Sequence, residues 1–375
     1  MTGLPAAEQS RYSRHLSLAE VGLAGQQRLR ASRVLVVGTG GLGSPVALYL
    51  AAAGVGVIGL VDCDRVELSN LQRQVLFDAA SVGERKTHVA RARLLALNPA
   101  LEVRAHQVEL CAANVRGIFE QYELVVDGSD RASTRYLVND ACVLYGKPLV
   151  SAAIHRFEGQ AMSYAPGRGP CYRCLFPQSA DGLLPSCADV GVLGVLPGVL
   201  GSLQATEVIK LLLGIGEPLL GRLLTYDALA MRFNEFRFQR RSDCAVCGDQ
   251  PSILAPVDPP GFCSVQELAD VPEFTPDELA AAMSVAGANI RLVDVREPEE
   301  FDSGHLRSAI NLPLGALEHD TGRIPRGATV VFVCRSGARS RRACALARRA
   351  GILDARQLAG GLLAWRESQE PSLAL

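Results

Sequence analysis

Aromatic residues are scarce in this chain: Phe, Trp and Tyr make up 5% of its 375 residues, and one of them is Trp. A surplus of basic charge is missing too, the formal net charge being -1. Nucleic-acid surfaces need clustered cations for phosphates and aromatic platforms for bases, so no direct nucleic-acid partner is expected. Long apolar runs are absent as well. The uncharged stretch Val190 to Thr206 contains four glycines and a proline and falls short of the roughly 20 residues of a membrane span. A buried helix or an interface is the expected use, and no membrane partner. The opening residues MTGLPAAEQSRYSRHLSL have no apolar signal core, so the expected compartment is the cytoplasm.

Other features are plentiful. Hydrophobic residues reach 48% and charged ones 21%, the composition of a globular protein with ample core. At roughly 150 residues per domain the length implies two or three domains. Eleven cysteines without an export signal point to metal and sulfur chemistry, not to a disulfide framework.

From Arg33 to about Pro148, short β-branched runs (RVLVV, VGVIGLVD, LEVRAHQV, YELVVDGSD, KPLVSAAI) alternate with helix-length segments. That order predicts an α/β fold with a parallel sheet under helices. Residues 249–272 carry five prolines, a linker signal. A second α/β pattern restarts beyond it, where Thr275 is placed to cap a helix with Pro276 in its first turn. The expected organisation is a first domain over 1–250, a linker over 251–272 and a smaller domain over 273–370.

Three constellations carry chemistry. In the first, Gly38, Gly40 and Gly43 follow a strand and open a helix, so backbone N–H groups and a helix N-terminus can approach phosphates. Asp62 ends the next strand, where an acid meets ribose hydroxyls. Up to this point an NAD(P)-linked oxidoreductase fits equally. However, Asp62, Asp64, Asn70, Arg73, Gln74 and Lys86 then crowd into one stretch. A triphosphate needs such cations and Mg²⁺, whereas NAD does not. Asp130 ends another strand at the sheet's carboxyl edge, a place for that metal.

The second constellation is a pair of C-x-x-C motifs, Cys171/Cys174 and Cys244/Cys247. Four thiolates make a closed tetrahedral zinc site, although the 69 residues between the pairs exceed a zinc-ribbon spacing. Cys187 stands apart in LLPSCADVG, a loop-like setting. The third is VVFVCRSGARS, with Cys334 at a strand end and a helix beginning around Arg339 or Ser340. The loop N–H groups of Arg335, Ser336, Gly337, Ala338 and Arg339 form an anion nest. The helix dipole and the arginine charges of the same loop favour an anion at the sulfur.

The motifs GTGGLGS, DxDxVExSNLxRQ, GxxK and DGSD, in this order over about residues 11–250, resemble the MoeB/ThiF family, bacterial relatives of the ubiquitin-activating enzymes. The resemblance implies a Rossmann-like domain with a structural Zn²⁺ on the four cysteines. It also implies adenylation, with Mg-ATP, of the C-terminal Gly-Gly carboxylate of a small ubiquitin-like sulfur-carrier protein. Gly41, Asp62, Asn70, Arg73, Lys86 and Asp130 would then bind ATP or its metal. Arg14 in RYSRH would serve the neighbouring subunit's active site in a homodimer formed through the first domain. Residues 273–370, with VDVREPEEF and SGHLRSAINLPL, resemble the rhodanese fold. Cys334 would carry a persulfide drawn from thiosulfate or a persulfide-donating desulfurase, Arg339 would close the loop, and Asp294 and Arg296 would support it; Cys187 would take a covalent part in sulfur handling or be a spare thiol. The competing readings are an NAD(P)-linked oxidoreductase and a sulfurtransferase or carrier-binding scaffold with a vestigial ATP site.

Overall fold

The computed structural model describes residues 3–177, 191–258, 267–268, 270–285 and 287–369. The chain folds as two compact units, the first running to about residue 259 and the second covering the rest.

The first unit is built on an eight-stranded sheet in the order β3-β2-β1-β4-β5-β6-β7-β8. Its parallel part is β1 (Arg33–Val37), β2 (Val57–Val61), β3 (Glu102–His106), β4 (Leu124–Asp127) and β5 (Leu149–His155). These are the five runs expected from sequence. Alternate residues feed opposite faces. Val34, Val36, Ile58, Leu60 and Val126 pack with Leu50, Leu94 and Val208 on one side. Leu35, Val37, Val61 and Val125 pack with Phe119, Tyr122 and Leu137 on the other. A sheet buried on both faces explains why the runs read as continuously apolar.

Three antiparallel strands, β6 (Glu158–Tyr164), β7 (Arg222–Asp227) and β8 (Arg232–Arg237), extend the sheet. The all-parallel expectation misses them, because β8 is exposed at every position and shows no period-2 pattern. The uncharged run lies largely in the helix Leu196–Leu213, which is long and apolar enough to cross a membrane. Half of that helix is buried, packed on β5, β6 and the helix Gly43–Ala53.

The chain winds to one side through β1, β2 and β3, then to the other through β4 and β5. β1 and β4 are therefore neighbours at a topological switch point, and the carboxyl ends of such strands border ligand crevices.

The second unit has five parallel strands in the order β11-β10-β12-β13-β9. They are β9 (Glu273–Phe274), β10 (Ile290–Asp294), β11 (Ile310–Asn311), β12 (Thr329–Val333) and β13 (Arg356–Leu358). The cap expected at Thr275 forms: its Oγ1 accepts from the Glu278 N–H at 3.3 Å, and its own N–H donates to Glu278 Oε2 at 2.8 Å. Val330 and Phe332 face the helix Ala338–Arg349, whereas Val331 and Val333 face Leu279 and Leu362. The reversal point lies between β10 and β12, and it presents Asp294 and Cys334 at adjacent strand ends.

Candidate active sites and metal centre

The glycine loop is shaped by contacts that leave no room for a Cβ. Gly38 has φ +84°, and a Cβ there would lie 2.9 Å from the Gly128 carbonyl oxygen. A Cβ on Gly43 would lie 1.8 Å from the Gly38 oxygen. The loop therefore folds against itself and against the turn after β4, and no side chain caps the helix Gly43–Ala53 that it opens. Asp62 braces it from β2. One carboxylate oxygen accepts from the Thr39 N–H at 2.9 Å and the Thr39 hydroxyl at 2.8 Å, while the other accepts from the Asp64 N–H at 2.9 Å. A carboxylate has about four lone-pair sites, so capacity remains for a ribose hydroxyl.

The stretch from 64 to 86 closes on the same loop. Lys86 Nζ sits 2.9 Å from Asp64 Oδ2, and its side chain is nearly buried. Burial opposes the ammonium, yet Asp62, Asp64 and Asp130 outweigh it and hold the Lys86 pKa above its ordinary value. Asn70 Oδ1 accepts from the Glu67 N–H at 3.1 Å, fixing a short 3₁₀ turn. Arg73 leaves that turn, donating to the Ser69 carbonyl at 3.1 Å, and its Cδ lies 3.7 Å from where a Gly41 Cβ would stand. Gln74 Nε2 lies 3.5 Å from the corresponding point on Gly40, and the buried Gln74 Oε1 has no hydrogen-bond partner among the described residues. Thus Gly38, Gly40, Gly41, Gly43, Asp62, Asp64, Asn70, Arg73, Gln74 and Lys86 come together, and Asp130 joins them through its field on Lys86. A cradle without Cβ atoms, a nearly buried ammonium and an orphaned amide oxygen fit a nucleotide's phosphates and base or sugar polar groups.

Arg14 is elsewhere. It is exposed on the short helix Ser13–Leu16. The neighbouring Tyr12 packs beneath Gly54 and accepts from Asn98 Nδ2 at 2.8 Å. That anchor is at the C-terminal end of the helix Gly43–Ala53, whose 11 residues span about 16 Å. Among the described residues, no hydrogen bond or ion pair joins Arg14 to the glycine loop of its own chain.

Asp127 and Arg135 are functional candidates that the sequence motifs do not single out. Asp127 is fully buried at the end of β4, and Arg135 Nε donates to its Oδ2 at 3.2 Å. Burial opposes the guanidinium's charge, and Asp127 more than restores it, so the Arg135 pKa stays raised. The available signal was an Asp closing an otherwise apolar strand, VVD.

The four cysteines converge. The sulfurs of Cys171, Cys174, Cys244 and Cys247 all lie within 4.8 Å of one another, with 3.6 Å between Cys171 and Cys244 and 3.3 Å between Cys174 and Cys247. Thiolates about 2.3 Å from one zinc stand about 3.8 Å apart, so the donor set fits a closed tetrahedral metal centre. The Cys171 thiol and the Arg241 N–H hydrogen-bond to Cys174 and hold its pKa well down. Gly248 lets the second knuckle turn, because a Cβ there would lie 2.4 Å from the Cys244 oxygen.

In the second unit, Cys334 is buried directly after β12. Its sulfur accepts from the N–H groups of Gly337 at 3.2 Å and Ser340 at 3.3 Å. Gly337, φ +95°, caps the helix, which starts at Ala338, one residue before the earliest start expected from sequence. Arg335 and Ser336 are exposed on the loop. Arg339, expected to lend its charge to the sulfur, pairs with both oxygens of Glu300, at 2.6 and 2.8 Å, and pulls that carboxyl below its ordinary pKa. No local pattern marks this partner, 39 residues upstream. Asp294 and Arg296 form a buried pair, Nη2 to Oδ2 at 2.7 Å, from which Arg296 also donates to the Gly304 carbonyl at 2.7 Å. Cys187 lies outside the described residues.

Comparisons with known proteins fall on the same two units. The ThiF family matches residues 12–246 and the rhodanese-like domain residues 275–368. The probable adenylyltransferase/sulfurtransferase MoeZ of Mycobacterium tuberculosis is 44% identical over 386 positions, covering 100% of this chain and 97% of its own. The sulfur carrier protein adenylyltransferase of Thermus thermophilus is 53% identical over 265 positions, 69% of this chain and 98% of its own. The crystal structure of E. coli MccB with ATP shares 26% identity at a TM-score of 0.57, covering 65% of this chain and 75% of that one. The chain belongs to the ThiF family and carries a rhodanese-like domain behind its ThiF domain.

Proposed function

We propose that this protein adenylates the C-terminal Gly-Gly carboxylate of a small ubiquitin-like sulfur-carrier protein and then delivers sulfur to it from Cys334. The observation that carries this reading is the presence of two anion cradles at strand ends in one chain. One is a glycine loop ringed by Lys86, Arg73 and three carboxylates; the other surrounds a buried thiol. Full-length similarity to a protein named for both activities supports it.

The glycine loop, Asn70, Arg73, Gln74 and Lys86 would bind ATP. The carrier carboxylate attacks the α-phosphate, pyrophosphate leaves, and the acyl carbon becomes an electrophile. Mg²⁺ would be held by Asp130 and would neutralise triphosphate charge. Arg14 is assigned to the partner subunit's site in a homodimer. Its anchoring at the far end of the helix Gly43–Ala53 supports that assignment. Zn²⁺ on Cys171, Cys174, Cys244 and Cys247 would be structural, since four thiolates leave no open coordination position.

At the second site the Cys334 thiolate attacks the outer sulfur of thiosulfate, or of a desulfurase persulfide. Sulfite or the donor's thiolate leaves and Cys334 holds a persulfide. The N–H groups of Gly337 and Ser340 would stabilise the sulfur anion. The persulfide then attacks the acyl adenylate and AMP departs. A thiol, Cys187 or an external one, attacks the inner sulfur. That step forms a disulfide with Cys334 and releases the carrier thiocarboxylate.

Cys334→Ala tests the division of labour. It should keep carrier-dependent ATP–pyrophosphate exchange, make no thiocarboxylate from thiosulfate, and regain thiocarboxylate when sulfide is added, all read by mass spectrometry of the carrier. A variant that still converts thiosulfate to thiocarboxylate refutes the assignment of Cys334. Absence of exchange in the wild-type protein favours the vestigial-site reading.

A further inference from the structure

The turn bearing Asp130 is gripped from behind. Within Asp127-Gly128-Ser129-Asp130, Ser129 is held at each of its polar atoms. Its N–H and hydroxyl donate to Asp127 Oδ1 at 3.0 and 2.6 Å, and its carbonyl accepts from Arg135 Nη2 at 3.2 Å. The second oxygen of Asp127 accepts from Arg135 Nε at 3.2 Å and from the Ser151 hydroxyl, on β5, at 2.9 Å. The Asp127 carbonyl accepts from Gln204 Nε2, on the helix Leu196–Leu213, at 2.7 Å. The same turn touches the phosphate cradle. A Cβ on Gly128 would lie 3.0 Å from the Gly43 nitrogen and 3.2 Å from the Gly38 oxygen.

We infer that Asp127 and Arg135 are positioning residues for adenylation, fixing through Ser129 both the direction of Asp130 and the seat of the glycine loop. Asp127 has no exposed surface and Arg135 is 8% exposed, so Asp127 cannot touch nucleotide or metal itself, and two nitrogens of the Arg135 fork are committed to this network. The pair is a rigid strut between β4, β5 and the helix Ala132–Leu144. A planar guanidinium can hold Asp127 and the Ser129 carbonyl together, whereas a lysine reaches one of them at a time. The inference rests on the proposed role of Asp130 at the ATP site.

The test uses the full-length protein with Asp127→Asn, Ser129→Ala, Arg135→Lys and Asp130→Asn, singly and each of the first three with the last. Three quantities are measured: binding of a non-hydrolysable Mg-ATP analogue by calorimetry, the rate and Mg²⁺ dependence of carrier-dependent exchange, and hydrogen exchange of the 128–130 amides. Misplacement of a reacting group by about 1 Å costs on the order of 10²-fold, the loss expected for Asp127→Asn. Ser129→Ala and Arg135→Lys should lose less, and all three should need more Mg²⁺ for half-maximal rate. The binding losses should not add to that of Asp130→Asn, because they act through it. Full additivity, or a folded Asp127→Asn protein with wild-type exchange and Mg²⁺ dependence, overturns the inference. If Asp127→Asn does not fold, Ser129→Ala, which keeps the buried ion pair, decides by the same criteria. If the wild-type protein shows no exchange at all, the ATP assignment is what fails. Hydrogen exchange then decides the strut: faster exchange at Ser129 and Asp130 in the variants, with β1 unchanged, supports it, and unchanged exchange at Ser129 overturns it.

Discussion

Gly361→Ala probes the sulfur loop without touching the thiol. Gly361 has φ +63°, and a Cβ there would stand 2.4 Å from the Cys334 oxygen and 2.7 Å from the carbonyl carbon and oxygen of Arg335. The next residue, Leu362, donates its N–H to that Cys334 oxygen at 2.8 Å. A left-handed conformation costs a non-glycine residue about 1–2 kcal/mol, and losing the adjoining hydrogen bond adds about 1 kcal/mol. For a unit of this size each kcal/mol moves the melting temperature by roughly 4–8 °C. The second unit should therefore melt at least 8 °C or so earlier, while the first keeps its transition. Relieving the overlap needs a shift of about 1 Å in the loop, which predicts a fall in sulfur transfer on the order of 10²-fold. Thiosulfate-to-cyanide transfer and scanning calorimetry read both effects, and ATP–pyrophosphate exchange should stay at the wild-type rate. Wild-type melting together with wild-type sulfur transfer would refute the close packing of Gly361 on the Cys334 loop.

Three further outcomes are expected. Cys244→Ser should lose about one zinc per chain by elemental analysis and melt earlier, since such sites contribute on the order of 10 kcal/mol; a variant that keeps metal and stability excludes the four-cysteine centre. Lys86→Ala should lose carrier-dependent exchange and retain thiosulfate-to-cyanide transfer, because its partners all lie in the first unit; loss of both activities contradicts that separation. Glu300 has a depressed carboxyl pKa through Arg339, so its contribution is complete above the ordinary value of about 4.3 and vanishes as pH falls through the depressed one. Glu300→Gln should flatten the acid limb of the second unit's stability profile, and an unchanged limb would mean the pair contributes nothing.

What the sequence disclosed and what it hid separate along a physical line. The parallel strands of the first sheet were legible because β-branched runs, punctuating glycines and helix-length intervals are local properties of the chain. The glycine loop was legible for the same reason: Gly38 and Gly43 are required by a turn that closes within six residues. The two cysteine pairs announced their ligand type, although only folding could bring positions 171 and 244 within 3.6 Å. Side-chain commitments across the fold were not legible. The Glu300 partner of Arg339 lies 39 residues upstream, too far for any local pattern to mark it.

Asp127 shows most sharply why. The motif DGSD contains two carboxylates, and spacing alone cannot assign them different duties. Folding does, because the strand's last residue is drawn into the sheet while the residue three further on emerges beyond its edge. The buried carboxylate then needs a cation and hydroxyl donors to be tolerated there, and it has Arg135, Ser129 and Ser151. Those same partners immobilise the exposed one's neighbour. The requirement to satisfy a buried charge and the requirement to aim a functional one are thus met by a single set of hydrogen bonds, and a substitution at either end should be felt at the other.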